Sequence, residues 1–240
     1  MSKLILVRHG QSLWNLQNRF TGWYDVELSK NGINEANKAG KLLKEENHTI
    51  DYAFTSYLKR ANQTLDIILK NMDIENLKVT KSWELNERHY GELTGLNKEE
   101  MREKLGEEKI KIYRRSWDIA PPELSEKNKY NPRFDKIYNN IDSDKIPNTE
   151  SLKDTYNRVI PYFENNILNY IKENKNIIIA AHGNSLRALC KKLFNISDYK
   201  INTLEIPTGN PMIIELDLNL RISNSYYVDE SRAQRIVKNE

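Results

Sequence analysis

The chain has 240 residues, with 37 Lys or Arg against 34 Asp or Glu, a formal net charge of +3. That near balance excludes the concentrated basic face of a dedicated nucleic-acid binder and leaves room for a local basic pocket. Hydrophobic residues at 38% and charged residues at 30% describe a globular chain long enough for a sizeable core.

Cys190 is the single cysteine, so no intrachain disulfide can form. No apolar run reaches the length of a membrane span, and the N-terminus enters a strand at once, with no room for a signal peptide. A cytoplasmic location and no membrane partner are expected.

In chain order, Leu4-Ile5-Leu6-Val7 is an uninterrupted apolar run, the pattern of a strand buried on both faces of a parallel sheet. It stops at Arg8-His9-Gly10, where such sheets place ligands, just past the carboxyl ends of their strands. A loop follows over 20–25. Ser29 is a plausible N-cap for a helix over 30–46, with Ile33, Ala36, Gly40 and Leu43 on its inner face. A second strand over 52–55 ends at Ser56. A helix over 59–72, with Ala61, Leu65, Ile68 and Leu69 inward, leads to a third strand over 77–80. This alternation is the signature of a parallel α/β sheet.

From 85 to about 148 the chain is polar and aromatic, and Pro121-Pro122 and Asn131-Pro132 break regular structure. The stretch reads as an excursion over the carboxyl edge of the sheet, with short helices over 98–105 and 109–116. Helical spacing returns over 152–171, where Pro161 should kink or interrupt the helix. Ile177-Ile178-Ile179-Ala180-Ala181 is a second strongly apolar strand and ends in His182-Gly183-Asn184. A helix over 185–194, a turn over 207–211 and a last strand over 212–216 complete the pattern. The expected fold is α/β: a three-layer sandwich with a mostly parallel central sheet, helices on both faces and a long insertion over the carboxyl edge. One domain spans 1–228, followed by a mobile tail over 229–240.

Two buried strands that both end in His-Gly bring His9 and His182 to one edge of the sheet. Neutral imidazole is a nucleophile and protonated imidazole an anion-stabilising donor, so a pair can divide these roles. A zinc pair lacks the His-x-x-x-His or Cys spacing and a nearby carboxylate run. Arg8, Arg60, Arg88, Arg114 and Arg115 fall at strand ends or in the excursion, and the arginine fork suits phosphate and carboxylate oxygens. Glu87 fits either a general acid/base or an ion pair to Arg88, and His89 either binding or packing.

These residues together resemble the histidine phosphatase superfamily, through Arg8-His9-Gly10 and His182-Gly183. More closely, the chain resembles the cofactor-dependent phosphoglycerate mutases. The matching stretches are 8–15, 18–25 (NRFTGWYD), Ser56 with Lys59-Arg60-Ala61, 85–91 (LNERHYG), 95–98, 114–116, Pro147 with 149–155, 180–189 (AAHGNSLRAL) and 206–209.

The resemblance implies an isomerase that interconverts 2-phosphoglycerate and 3-phosphoglycerate in glycolysis and gluconeogenesis. It implies His9 as the phosphoryl carrier, primed by 2,3-bisphosphoglycerate, with no metal. His182 would stabilise the transferring group and Glu87 would move the hydroxyl proton, with Arg8 and Arg60 beside them. Substrate would be held by Arg8, Ser12, Asn15, Thr21, Gly22, Arg60, Glu87, Arg88, His89, Tyr90, Lys98, Arg114, Arg115, Gly183 and Asn184. A homodimer or homotetramer is implied as well. The competing activity is that of a phosphatase of the same superfamily, in which water takes the group from phosphohistidine. The departures, Leu13, Leu16, Asn210, Cys190 and Lys191-Lys192, touch none of these roles.

Overall fold

The computed structural model describes residues 2–217 and 219–236. Six strands form one sheet: β1 (Ser2–Arg8), β2 (Tyr52–Thr55), β3 (Val79–Lys81), β4 (Ile177–Ala181), β5 (Met212–Leu216) and β6 (Ile222–Tyr227). Their order across the sheet is β3-β2-β4-β1-β5-β6. The β1–β4, β2–β4 and β2–β3 pairs are parallel, whereas β5 runs antiparallel to both β1 and β6.

The apolar runs sit at the centre of the sheet because both of their faces are covered. Leu4 and Leu6 of β1, with Ile177 and Ile179 of β4, pack on one side. There they meet α6 (Leu152–Asn166), α7 (Leu168–Lys172) and α8 (Gly183–Leu193) through Val159, Phe163, Ile171, Leu186 and Leu189. Ile5, Val7, Ile178 and Ala180 face the other way, onto α2 (Lys30–Glu45) and α3 (Lys59–Asn71) through Ala39, Leu43, Leu65 and Ile68. Alternate residues of a strand point to opposite faces, so a strand apolar throughout needs helices on both sides. The sandwich has those three layers.

Three details depart from the sequence pattern. Ile33 is 43% exposed, because α2 turns its small residues Ala36, Ala39 and Gly40 inward. A Cβ on Gly40 would stand 2.7 Å from that of Asn71, and this close approach turns Ile33 outward. Helix α6 continues through Pro161, and the break comes at Ile167 instead. Burial of Val159, Ile160 and Phe163 around the proline outweighs the lost hydrogen bond. Strand β6 has no apolar alternation (ISNSYY), as befits an exposed edge.

The excursion is held down by two small cores of its own. Phe20, Leu93, Met101 and Ile110 fix α4 (Lys98–Leu105) and α5 (Glu107–Arg115). Trp23, Tyr138 and Ile146 fix the later turns. Of the stretch expected as a tail, Asp229 is buried and ion-paired to Lys38 and Arg232. Residues 237–240 lie outside the described residues. Among the described residues, no helix is long and apolar enough to cross a membrane.

Candidate active site

Register decides the centre of the site. Arg8 of β1 pairs with Ala181 of β4, so the next residue of each parallel strand, His9 and His182, emerges side by side at the carboxyl edge. The His9 N–H donates to the Ala181 carbonyl at 3.0 Å, and the two ring centroids are 5.0 Å apart. Gly10 then lets the chain leave β1 against α2: a Cβ there would stand 2.3 Å from the Gly32 carbonyl oxygen.

Each ring has a defined orientation. His9 Nδ1 lies 2.7 Å from the Gly10 carbonyl oxygen, an acceptor only, so Nδ1 carries the proton. Nε2 keeps its lone pair and accepts from Arg60 Nε at 3.3 Å. Ser56 Oγ accepts from Leu58 N–H and lies 2.7 Å from His182 Nε2. His182 Nδ1 is buried without a partner among the described residues. Burial is the main cause holding both histidines well below their ordinary value, and the Arg60 charge adds to it. Both rings are therefore held toward the neutral form. The positive charge comes from arginines.

Arg60, 1% exposed, points into the site from α3 and is locked by the carbonyls of Gly22 and Tyr24 at 2.8 and 3.0 Å. Burial pulls it down to about 10, which leaves it charged at neutral pH. Arg8 donates from Nη1 to the Ile206 carbonyl at 2.8 Å, and its Nε is buried without a partner among the described residues. Glu87 Oε1 accepts from three donors, Arg88 N–H, Asn184 N–H and Asn184 Nδ2. That leaves Oε2 as the free oxygen. It lies close to Gly183, the first residue of α8, with the Arg8 guanidinium nearby.

The cavity is lined by Arg8, His9, Asn15, Thr21, Gly22, Arg60, Glu87, Tyr90, Lys98, Arg114, Arg115, Gly183 and Asn184 among the expected residues. Lys98 is lowered by burial and by its neighbours Arg114 and Arg8. Three expected contact residues stand behind the wall. Ser12 caps α1 (Leu13–Leu16) through Asn15. Arg88 is buried, donating to the Arg114 carbonyl and lying over the Tyr90 ring. His89 accepts from Gly91 N–H and packs on Trp23, so packing is where the structure puts it. His182 is fully buried beneath the cavity.

Sequence reading missed Arg19, Arg187 and Glu205, which also line it. Arg187 lies one helical turn beyond Gly183 on α8, a spacing that could have flagged it. It also missed Arg158, whose guanidinium joins the Glu150 carboxylate to the backbone carbonyls of Glu84, Asn86 and Glu87. In all, seven cationic side chains face two carboxylates and a neutral, hydrogen-bonded imidazole nitrogen. Such a site can hold a multiply charged anion and can offer it a nucleophile and a proton acceptor. Among the described residues, no three His, Cys, Asp or Glu side chains gather as a metal-holding group.

The chain matches the histidine phosphatase superfamily (branch 1) profile over residues 4–129 and 123–221. It is 52% identical over 237 residues to the 2,3-bisphosphoglycerate-dependent phosphoglycerate mutase of Pelagibacter ubique, covering 99% of each chain. It is 50% identical to 2,3-bisphosphoglycerate-dependent phosphoglycerate mutase 2 of Bacteroides thetaiotaomicron, covering 95% of this chain and 92% of that one. Among solved structures, Bacillus stearothermophilus YhfR superposes with a TM-score of 0.70 at 20% identity over 99% of this chain and all of that one. A mycobacterial glucosyl-3-phosphoglycerate phosphatase superposes with a TM-score of 0.71 at 19% identity, over 95% of this chain and 97% of that one. These two share the fold. The chain belongs to the histidine phosphatase superfamily.

Proposed function

We propose that the protein interconverts 2-phosphoglycerate and 3-phosphoglycerate through a phosphoryl group carried on His9. The observation that carries this reading is identity of about one half, along nearly the whole chain, to relatives bearing the name phosphoglycerate mutase. The geometry is consistent with it, since each residue the chemistry needs has a matching position.

His9 Nε2 is the attacking atom, because Nδ1 is committed to the Gly10 carbonyl. Arg8 and Arg60 neutralise the phosphoryl oxygens during transfer, and His182, its ring 5.0 Å from that of His9, stabilises the transferring group. Glu87 Oε2 takes the proton of the substrate hydroxyl as that oxygen accepts the group from His9. It returns the proton when the other oxygen gives its phosphoryl group back. Phosphoryl transfer is mostly positioning and charge stabilisation, which suits a site built of fixed cations.

The residues also fit 2,3-bisphosphoglycerate: seven cations converge on the cavity, and Arg8 Nε is buried without a partner among the described residues. Arg8, Asn15, Arg60, Lys98, Arg114, Arg115 and Asn184 would hold it. When bound, that compound supplies the phosphoryl group that charges His9. Each phosphate carries about −1.5 to −2 at neutral pH, so only a convergent cationic cavity retains it. A cytoplasmic location, a role in glycolysis and gluconeogenesis, and a dimer or tetramer belong to the same proposal.

The test supplies 3-phosphoglycerate with and without a trace of 2,3-bisphosphoglycerate. Formation of 2-phosphoglycerate that depends on the trace supports the mutase. Inorganic phosphate as the main product, without 2-phosphoglycerate, gives the case to a phosphatase.

A further inference from the structure

Glu205 is a carboxylate placed where the cavity otherwise gathers anions. One of its oxygens pairs with Arg115 at the end of α5, the other with Arg187 Nη2 on α8 at 3.3 Å. The backbone on either side is pinned by the same group of arginines. The Leu204 carbonyl accepts from Arg187 Nε at 2.7 Å, and the Ile206 carbonyl accepts from Arg8 Nη1 at 2.8 Å. The carboxylate is thus held at a fixed point of the wall, spanning two guanidinium groups as a bound phosphate or carboxylate would.

The two arginines are not equivalent. Arg187 is deeply buried and has further partners in the Leu204 carbonyl and Asn184 Oδ1. Arg115 has no other hydrogen bond or ion pair among the described residues, and the Glu205 side chain is 48% exposed. The weak side of the bridge is therefore Arg115, which belongs to the excursion rather than to the sheet. A half-exposed pair of this kind is readily exchanged for a stronger anion.

We propose that Glu205 is a resident competitor for the anion-binding arginines and a specificity-determining residue. It occupies Arg115 and Arg187, lowers the affinity of the cavity for anions, and releases Arg115 when an anionic group enters. The substrate class follows from the reading above. The competition itself requires only the cavity.

The experiment measures binding of inorganic sulfate and of 2,3-bisphosphoglycerate by calorimetry, with steady-state kinetics on 3-phosphoglycerate, for the parent, Glu205→Gln and Glu205→Asp. Glu205→Gln binds sulfate about three- to tenfold more tightly, the scale of one or two surface ion pairs. Its KM falls by a similar factor while kcat does not rise. Glu205→Asp, which keeps the charge, stays within about twofold of the parent. In an Arg115→Gln background the gain from Glu205→Gln disappears.

Unchanged or weaker sulfate binding by a Glu205→Gln protein of parental melting temperature overturns the inference. So does an equal gain in the Arg115→Gln background. Tighter sulfate binding in a protein that turns over no phosphoglycerate removes the mutase reading and leaves this one standing. An active mutase with unchanged sulfate affinity does the reverse.

Discussion

Arg60 Nε stands 3.3 Å from Nε2 of His9, and the two side chains are buried together at 1% and 3% exposure. A guanidinium cannot accept a hydrogen bond, so this contact fixes the lone pair of His9 on Nε2. The same cation adds to the burial that holds the imidazole toward its neutral form, and under the proposed function it would meet the group that His9 carries. Imidazole and counter-charge are one unit, built from a strand end and a helix that lie far apart in sequence.

His9→Ala should abolish isomerisation and the acid-labile phosphoenzyme together, with kcat falling at least about 10³-fold. Labelling with a phosphorus-32 donor, read at acid and alkaline pH, checks it. Retention of either property sinks the assignment of the nucleophile.

Glu87→Gln keeps an oxygen for the Arg88 and Asn184 donors but cannot take a proton. We expect kcat to fall by about 10²–10⁴ with KM changed only a few-fold. A loss confined to KM would make Glu87 a binding group rather than an acid/base.

Acid should destabilise the protein earlier than its carboxylates alone would require. His9, His182 and His89 are all held neutral by burial, His89 down to about 3. In the unfolded chain they titrate near pH 6.5, so below that pH the unfolded state binds protons that the folded state refuses. Their contribution to stability is complete above pH 6.5 and is lost as pH falls from there toward the folded values. Each histidine adds a slope of about 1.4 kcal/mol per pH unit. Urea titrations between pH 6.5 and 5, above the carboxylate range, should show it, with His89→Gln reducing the slope by about a third. An identical slope in that variant would show that His89 titrates normally in the fold.

Arg158 and Glu150 form a buried ion pair through Arg158 Nε at 2.6 Å and Nη2 at 2.9 Å, and the same guanidinium binds the Glu87 carbonyl. Arg158→Ala leaves a buried carboxylate unpaired and should cost about 3–5 kcal/mol. It should also lower kcat in the protein that remains folded, because the backbone carrying Glu87 loses its anchor. Chemical denaturation with kinetics at low temperature separates the two effects. A loss under about 1 kcal/mol would mean that the pair is solvated.

Much of the scaffold is written in local pattern. Two apolar runs without alternation can only be central strands, and each stops at a histidine followed by glycine. Parallel strands present their carboxyl ends on one edge, so His9 and His182 were bound to share it. Packing then overrode pattern at particular points. Close glycine contacts turned Ile33 outward, and the buried face of α6 carried the helix past Pro161.

The sequence by itself determined the fold class, the family, and the residue types gathered for phosphate chemistry, because hydrophobic period and short motifs are local properties. Only the tertiary structure decided which nitrogen of His9 is free, that both imidazoles are buried, and that Ser12, Arg88 and His89 stand behind the wall. It alone revealed Arg158 beneath Glu87 and Glu205 between Arg115 and Arg187. Hydrogen-bond partners, burial and charge neighbours depend on residues far apart in the chain, such as Arg8 and Ile206, 198 positions apart. No local period encodes such pairings. They exist only once the core has fixed how the strands and helices stand together.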